Sequence, residues 1–288
     1  MRLFAFLAGA LLLAALPVHA APLTVVAAEN FYGDLAQQIG GPAVQVTSIL
    51  TNPNQDPHSF EASPSTARAI ADAGLVVYSG ADYDPWVANL LAASNMPGRK
   101  VIVVADLVQR KSGDNPHLWY DPATMPALAK ALTAEFAGRD PGHRQDYESR
   151  LQTFLASLAP MERKIAELRR KYAGQPVTAT EPVFGYMSDA LGLDMRNQPF
   201  QIAVMNDTEP SASQIAAFEK DLKTRAVKVL FYNSQVTDDL TARLQKIAQD
   251  SGVPIVGVSE TEPPGLNYQA WMGGQLEATA KALAGPGS

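Results

Sequence analysis

Cysteine is absent from the 288-residue sequence, and histidine occurs only four times. The lack of cysteine excludes disulfide bonds, thiolate metal sites and cysteine nucleophiles. We therefore also expect no lipid anchor of the kind that is attached to an N-terminal cysteine. Clusters of basic residues are lacking too, and the formal net charge is −6. Because nucleic acids and anionic membrane surfaces attract basic proteins, the composition argues against nucleic acid as a partner.

Only the N-terminus contains a long apolar run. Arg2 precedes apolar residues 3–16, and residues 18–20 (VHA) place small or apolar side chains where a signal peptidase cuts. The run is shorter than the roughly 20 residues that span a bilayer. We therefore expect residues 1–20 to be a signal peptide that is cleaved after Ala20, with an uncleaved membrane anchor as the alternative. Together with the lack of cysteine, this predicts a protein that is free in the periplasm.

Short apolar runs alternate with helical patterns on both sides of the middle of the chain. The first half has predicted strands at 23–27, 44–50, 75–78 and 101–104, and predicted helices at 31–39, 63–73 and 122–136. The second half has predicted strands at 177–179, 227–232 and 253–258, and predicted helices at 184–191, 211–224, 238–250 and 268–283. Strands that alternate with helices predict mostly parallel sheets covered on both faces.

The middle of the chain has a different pattern. Asp140 and Pro141 can begin a helix whose apolar spacing continues to about Tyr172, and about 30 residues give a length of roughly 45 Å. Pro160 should kink this helix, and two shorter helices divided there are the alternative. The predicted fold class is therefore α/β. An N-terminal lobe (21–139) and a C-terminal lobe (175–288), each with a central sheet, are joined by one long helix (140–174).

Two of the three histidines after residue 20 occupy equivalent settings. His58 lies in the loop after the strand at 44–50, and His117 lies in the loop after the strand at 101–104. Each follows a proline, which fixes the backbone and reduces the entropy lost when a metal binds. Neutral imidazole is a good ligand for zinc-type and manganese-type ions, so the pair predicts a transition-metal site. His143 lies in a polar run at the start of the long helix, and we interpret it as solvated.

Carboxylates must complete such a site in the C-terminal lobe, because no histidine remains there. Glu181 follows the strand at 177–179, and both Glu260 and Glu262 follow the strand at 253–258. Ligands of parallel sheets bind near these carboxyl ends of strands. Glu181 could instead be a carboxylate that merely favours a helix N-terminus. One acid of the Glu260 and Glu262 pair is expected to be an exposed loop residue, and position alone does not decide which.

Several motifs together resemble the metal-binding solute-binding proteins of zinc and manganese ABC importers, whose lobes are joined by a single long helix. The resemblance covers essentially the whole chain after residue 20. A single Pro-His pair is not specific, but two such pairs with a Gly-to-Trp segment between them are specific in combination. The matching segments are 28–32 (AENFY), 56–61 (DPHSFE), 80–86 (GADYDPW), 115–119 (NPHLW), 184–186 (FGY), 209–211 (EPS) and 268–272 (YQAWM).

The resemblance implies a four-ligand site between the lobes. His58 and His117 match the first two ligands, and Glu181 matches the third, which is usually His in zinc binders and often Glu in manganese binders. The fourth is usually Asp; we expect Glu260 here because it lies at the strand end, with Glu262 as the alternative because its Pro-Pro-Gly resembles the family turn. Asn115 stands where an acid commonly precedes the second Pro-His, and the His-rich loop of many zinc binders is absent.

The donor set is compatible with two ions, Zn²⁺ or Mn²⁺, each carried as cargo. Two imidazoles and two carboxylates suit zinc in a tetrahedral site. Bidentate carboxylates would offer more oxygens and suit manganese. The implied function is to capture the ion and deliver it, without catalysis, to the membrane permease of an ABC importer. We expect a monomer.

Two alternative functions are compatible with parts of the same pattern. A binding protein for an iron chelate or a corrinoid would use the same fold but would need a wide cleft with arginine or aromatic side chains. A metallohydrolase would need an open metal position and a general base, and the sequence has no His-Glu-x-x-His motif.

Overall fold

The computed structural model describes residues 22–236 and 238–285. The predicted signal peptide, residues 1–20, lies outside these ranges. Within the described part of the chain, no helix is both long and apolar enough to cross a membrane.

The N-terminal lobe is built on a four-stranded parallel sheet with the order β2-β1-β3-β4. The strands are β1 (Leu23–Glu29), β2 (Val44–Leu50), β3 (Leu75–Tyr78) and β4 (Lys100–Val103). The helices are α1 (Asn30–Gly40), α2 (Pro64–Asp72), α3 (Pro85–Ala93), α4 (Val104–Leu107) and α5 (Thr124–Arg139). The buried stretch of β1 has no alternating polar face, as expected for a strand covered on both sides.

Two helices connect the lobes, α6 (Arg144–Ser157) and α7 (Ala159–Tyr172). They are separated by one residue, Leu158, whose backbone stays in the right-handed helical region. Pro160 follows within the first turn of α7, has no N–H, and clashes with the preceding turn. The predicted 30-residue helix is therefore interrupted two residues before the proline, which is close to the two-helix alternative. A 3₁₀ turn at Pro141–His143 precedes α6.

The C-terminal lobe repeats the parallel arrangement with the strand order β6-β5-β7-β8. Its strands are β5 (Pro176–Ala179), β6 (Asp194–Arg196), β7 (Leu230–Asn233) and β8 (Ile255–Val258). Its helices are α8 (Gly185–Leu191), α9 (Gln198–Met205), α10 (Ala212–Lys223), α11 (Asp239–Asp250) and α12 (Tyr268–Ala284). The predicted α/β class with two sheet-based lobes is confirmed. That residues 21–139, 140–174 and 175–288 behave as separate units stays a prediction.

Of the two caps expected from the sequence, Ser63 is observed, whereas the side chain of Asp140 forms no cap hydrogen bond. Ser63 accepts a hydrogen bond from the backbone of Thr66 before α2, whose first residue is a proline. Ser211 forms a reciprocal capping box with Gln214 at the start of α10. Four short elements, α3, α4, α9 and β6, were not predicted. They are too brief, and β6 is too polar, to produce a periodic apolar pattern.

One hydrophobic core extends through both lobes. The ring of Trp119 lies 4.6 Å from that of Phe31 within the N-terminal lobe. Tyr120, beside Trp119, lies 5.4 Å from Phe184 in the C-terminal lobe, and Phe184 stacks on Phe231 at 4.5 Å. Such aromatic pairs add about 0.5–1.5 kcal/mol each beyond the area they bury. The apolar contact between the lobes therefore opposes a wide opening movement.

Candidate metal centre

His58 lies in a 3₁₀ turn, Pro57–Ser59, in the loop after β2. The carboxylate of Asp56 accepts a hydrogen bond from the backbone N–H of His58 at 2.8 Å and so fixes the turn. The imidazole reaches toward the other lobe, where its Nε2 lies 3.4 Å from Oε2 of Glu260. The predicted Pro-His loop therefore presents its side chain at the interlobe face.

His117 is fully buried in the loop after β4. The side-chain oxygen of Asn115 accepts a hydrogen bond from the backbone N–H of His117 and lies 2.6 Å from its Nδ1. The amide nitrogen of Asn115 donates to the carbonyl of Pro182, so the oxygen must be the atom that faces the imidazole. Nδ1 of His117 therefore carries the proton, and Nε2 is left free to bind a cation.

Glu260 follows β8 and is buried beside both imidazoles. Its Oε2 lies 3.2 Å from Nε2 of His117 and 3.4 Å from Nε2 of His58. The ligand atoms of these three residues all lie within 4.8 Å of one another. A tetrahedral zinc site with bonds of about 2.1 Å separates neighbouring ligand atoms by roughly 3.4 Å, so the observed spacing fits a bound dication.

Unsatisfied hydrogen-bonding capacity supports the same reading. Nε2 of His58, Nε2 of His117 and Oε2 of Glu260 are buried, and none has a hydrogen-bond partner among the described residues. Buried polar atoms without partners are costly, and they are rare outside functional sites. Three such atoms that face one another are the arrangement expected of ligands that converge on a cation.

The charges of the three side chains are strongly linked. Burial raises the pKa of the Glu260 carboxyl, but the two imidazoles outweigh burial and hold it below its ordinary value. Burial acts to lower the pKa of His58, yet the Glu260 carboxylate raises it to about 9. Burial lowers the pKa of His117. The geometry thus keeps Glu260 ionised and His117 neutral, the states in which both side chains bind metals, whereas His58 has to release a proton when it binds an ion.

Glu181 lies beside this group without belonging to it. It follows β5 and is buried, and its Oε2 accepts a hydrogen bond of 2.5 Å from the side-chain amide of Asn233. The same amide donates to Oε1 of Glu260 at 2.6 Å. Burial and the charge of Glu260 raise the pKa of Glu181 to about 8. Asn233 therefore joins the third predicted ligand to the fourth.

Glu262 is not among the converging ligand atoms, but it is buried like Glu260, so the expectation that one of the two acids is exposed was wrong. The backbone N–H and carbonyl of Glu262 form a pair of hydrogen bonds with the side chain of Asn30 in α1. Burial and nearby Asp34 raise the pKa of its carboxyl to about 8, and neither histidine contributes to that shift. Glu260, not Glu262, is thus the acid that lies against the imidazoles. His143 is exposed and pairs with Asp140 at 2.6 Å, as expected of a solvated side chain.

Three further residues shape the site but were not singled out from the sequence. Asn233 lies between the two carboxyl groups, and Gln235 accepts hydrogen bonds from the backbone of Glu260 at 2.6 Å and of Thr261 at 2.9 Å. The ring of Tyr83 packs edge-on against those of His58 and His117, at 5.3 and 6.0 Å. Asn233 and Gln235 stand directly after a predicted strand. The positional rule that found the histidines would also have found them.

The fold and the site define a two-lobed binding protein with a buried nitrogen and oxygen site for a metal ion. The model of the ZnuA family, zinc-uptake complex component A periplasmic, matches residues 25–282, and the chain belongs to this family. It is a solute-binding protein that captures a metal ion. Proteins of this family are extracytoplasmic and work with the permeases of ABC importers. The chelate-binding and hydrolase alternatives are not supported.

Individual relatives are distant but cover most of the chain. The zinc-uptake protein ZnuA of Paracoccus denitrificans is 23% identical and aligns with 96% of this chain and 97% of its own length. The manganese-binding lipoprotein MntA of Halalkalibacterium halodurans is 23% identical over 85% of this chain and 81% of its own length. The solved structure of TroA, a periplasmic zinc-binding protein of Treponema pallidum, matches with a TM-score of 0.77 at 20% identity, covering 92% of this chain and 99% of that one.

Proposed function

We propose that this protein captures Zn²⁺ or Mn²⁺ through His58, His117, Glu181 and Glu260, and releases the ion to the membrane permease of an ABC importer. The observation that carries the proposal is the convergence of three buried, unpartnered ligand atoms at 3.2–3.4 Å. Glu181 completes the set of four in this proposal, since Asn233 binds its carboxyl together with that of Glu260 and its charge acts on His58. Relatives named for zinc and for manganese support the choice of these two ions.

Capture requires no chemical step in this proposal. Four protein ligands complete a tetrahedral shell, whereas a catalytic zinc keeps one position for water. In this proposal both acids close to the site bind the ion, so neither is left to act as a general base. We infer that the protein is a carrier and has no catalytic activity.

Capture in this mechanism involves only small lobe movements. Asn115 binds the carbonyl of Pro182 across the interface, and Gln235 binds the carbonyl of Gln55 at 2.9 Å. The ligands come from loops of both lobes, so a bound ion strengthens a contact that already exists. Release would then require the permease to separate these loops, a shift of packed elements against one another rather than a wide hinge.

The cellular setting is also part of the proposal. We infer that residues 1–20 are removed on export, that the mature protein is not lipid-anchored, and that it works as a periplasmic monomer. The lack of cysteine supports the second of these statements, because a lipid anchor needs an N-terminal thiol. The net charge of −6 gives no support for nucleic acid as a partner.

Calorimetry on purified protein stripped of metal tests the proposal. Zn²⁺ and Mn²⁺ should each bind with one-to-one stoichiometry, and His117→Ala should abolish tight binding of both. His143→Ala is the matched control, because that histidine is exposed and pairs with Asp140 outside the cluster. Equal losses in both histidine variants, or no binding to the unmutated chain, would overturn the proposed function.

A further inference from the structure

Asn233 ends β7 at the centre of the interlobe site and is 1% exposed. Its side-chain nitrogen donates one hydrogen bond to Oε2 of Glu181 at 2.5 Å and one to Oε1 of Glu260 at 2.6 Å. Both N–H groups of the amide therefore donate hydrogen bonds to carboxylates. Its side-chain oxygen accepts from the backbone N–H of Gln235 at 3.0 Å, which fixes the orientation of the amide group.

In this arrangement one oxygen of each carboxylate accepts a hydrogen bond from the Asn233 amide. The accepting oxygen of Glu260 is Oε1, and its other oxygen, Oε2, is the one that lies against the two imidazoles. A carboxylate oxygen held at 2.6 Å by a buried donor costs free energy to release, because the donor would then be unsatisfied. An oxygen that accepts one hydrogen bond keeps a second lone pair, but the bond to Asn233 holds the Glu260 carboxylate in an orientation in which Oε2 is the oxygen against the imidazoles. The same amide holds Glu181 through its Oε2.

The number of oxygens determines which ion fits. Zinc favours four tetrahedral ligands, and two imidazoles with two monodentate carboxylates supply that number. Manganese favours more oxygen ligands, which the same residues could supply only if the carboxylates became bidentate. An amide is suited to this restriction because it gives two donors without adding a third negative charge beside the two acids.

We propose that Asn233 is a specificity-determining residue that holds Glu181 and Glu260 monodentate and thereby biases the site toward Zn²⁺ over Mn²⁺. This inference rests on the proposed function, because it requires that both glutamates are ligands. It adds a binding preference between the two ions, which the donor set alone leaves open.

Competition titrations against a chelator test the inference through the ratio of the Zn²⁺ and Mn²⁺ dissociation constants. In Asn233→Ala the freed oxygens should lower the preference for Zn²⁺ by about tenfold, the scale of one hydrogen bond to a charged group. X-ray absorption of the zinc-loaded protein should give four ligands in the unmutated chain and more in the variant. Asn233→Ser keeps one hydrogen-bond donor, so its preference for Zn²⁺ should lie between those of the unmutated protein and Asn233→Ala. This variant replaces Asn233→Ala in the test if the alanine variant folds poorly.

Gln201→Ala is the matched control for loss of a buried amide. Gln201 is also 1% exposed and lies in the same lobe, but its amide binds the backbone of Arg196 away from the site. The metal ratio should not change in this variant. An equal weakening of both metals in Asn233→Ala, or an unchanged ratio, would overturn the inference and assign Asn233 a purely structural role.

The same titrations separate this inference from the proposed function. If Glu181→Gln and Glu260→Gln both lower affinity while Asn233→Ala leaves the ratio unchanged, only the specificity inference fails. If neither glutamine variant changes affinity, the ligand assignment itself fails, and the inference fails with it.

Discussion

The side-chain oxygen of Asn115 lies 2.6 Å from Nδ1 of His117, while the amide nitrogen of the same asparagine donates to a carbonyl of the opposite lobe. An aspartate could orient the imidazole equally well, but it could not donate the second hydrogen bond. The departure from the family pattern at this position therefore has a structural consequence. One side chain both orients a ligand and joins the two lobes.

Substitutions of Asn115 should separate these two roles. Asn115→Asp keeps the acceptor for His117 but places an oxygen against the carbonyl of Pro182, so the metal-free protein should lose roughly 1–3 kcal/mol of unfolding free energy. Asn115→Ala removes the orienting acceptor as well and should weaken metal binding by roughly 10–100-fold. Urea unfolding and calorimetry measure the two effects. Unchanged metal affinity in Asn115→Ala would show that the imidazole needs no orienting partner.

Gly185 offers a second test of the same contact. A Cβ at this position would lie 2.7 Å from the side-chain nitrogen of Asn115, so Gly185→Ala must displace that amide. We expect a lower melting temperature in the metal-free protein, measured by differential scanning calorimetry. Gly273 is a suitable control, because a Cβ there would meet nothing within 4 Å.

The two glutamates after β8 should behave differently when each is replaced by glutamine. Glu260→Gln removes the oxygen that lies against both imidazoles and should weaken metal binding by more than the roughly 100-fold seen for outer partners. Glu262→Gln should leave the affinity nearly unchanged, because its carboxyl is not among the groups that converge with the imidazoles and neither histidine acts on its charge. Calorimetry with Zn²⁺ measures the affinity of both variants. A larger loss of affinity in Glu262→Gln than in Glu260→Gln would make Glu262 the fourth ligand.

A saturating metal should stabilise the folded state, because the unfolded chain has no assembled site. At a free concentration 100-fold above the dissociation constant the gain is about 2.7 kcal/mol. Thermal melts with and without Zn²⁺ or Mn²⁺ measure it, and His117→Ala should reduce the gain sharply. Identical melting temperatures with and without both metals would contradict the site.

Glu29 predicts a pH dependence of stability that is independent of the metal ligands. Burial, and then the charge of Asp84, raise the pKa of Glu29 well above its ordinary value of 4.5. The folded protein therefore holds a proton that the unfolded chain has released, and its stability falls as pH rises from about 4.5 toward the folded pKa. Glu29→Gln cannot ionise, so it should be increasingly more stable than the unmutated protein over that range.

Unfolding in urea at a series of pH values measures this difference. Glu61→Gln, at an exposed glutamate before α2, controls for the loss of a negative charge. A free-energy difference between Glu29→Gln and the unmutated protein that stays constant with pH would show that Glu29 does not hold a proton in the fold.

Local patterns in the sequence were sufficient for most of the fold. Continuous apolar runs predicted seven of the eight described strands, and Ser63 before a proline predicted where α2 begins. The elements that were missed have few residues and little apolar periodicity, so their conformations depend on packing. Pro160 predicted, as an alternative, two helices divided near that residue, and the interruption lies at Leu158. The exact residue at which the helix breaks depends on the packing contacts of α6 and α7.

The sequence by itself determined the class of the protein and the residue types of its site. Two Pro-His pairs and acids past strand ends indicated a metal site, because the carboxyl ends of parallel strands meet at one edge of a sheet. Only the tertiary structure decided that Glu260 rather than Glu262 lies at 3.2–3.4 Å from the imidazoles, and that Asn115 and Asn233 hold the surrounding groups. The reason is physical. Glu260 and Glu262 are only two residues apart in the same loop, but the direction of each side chain depends on contacts with residues of the other lobe.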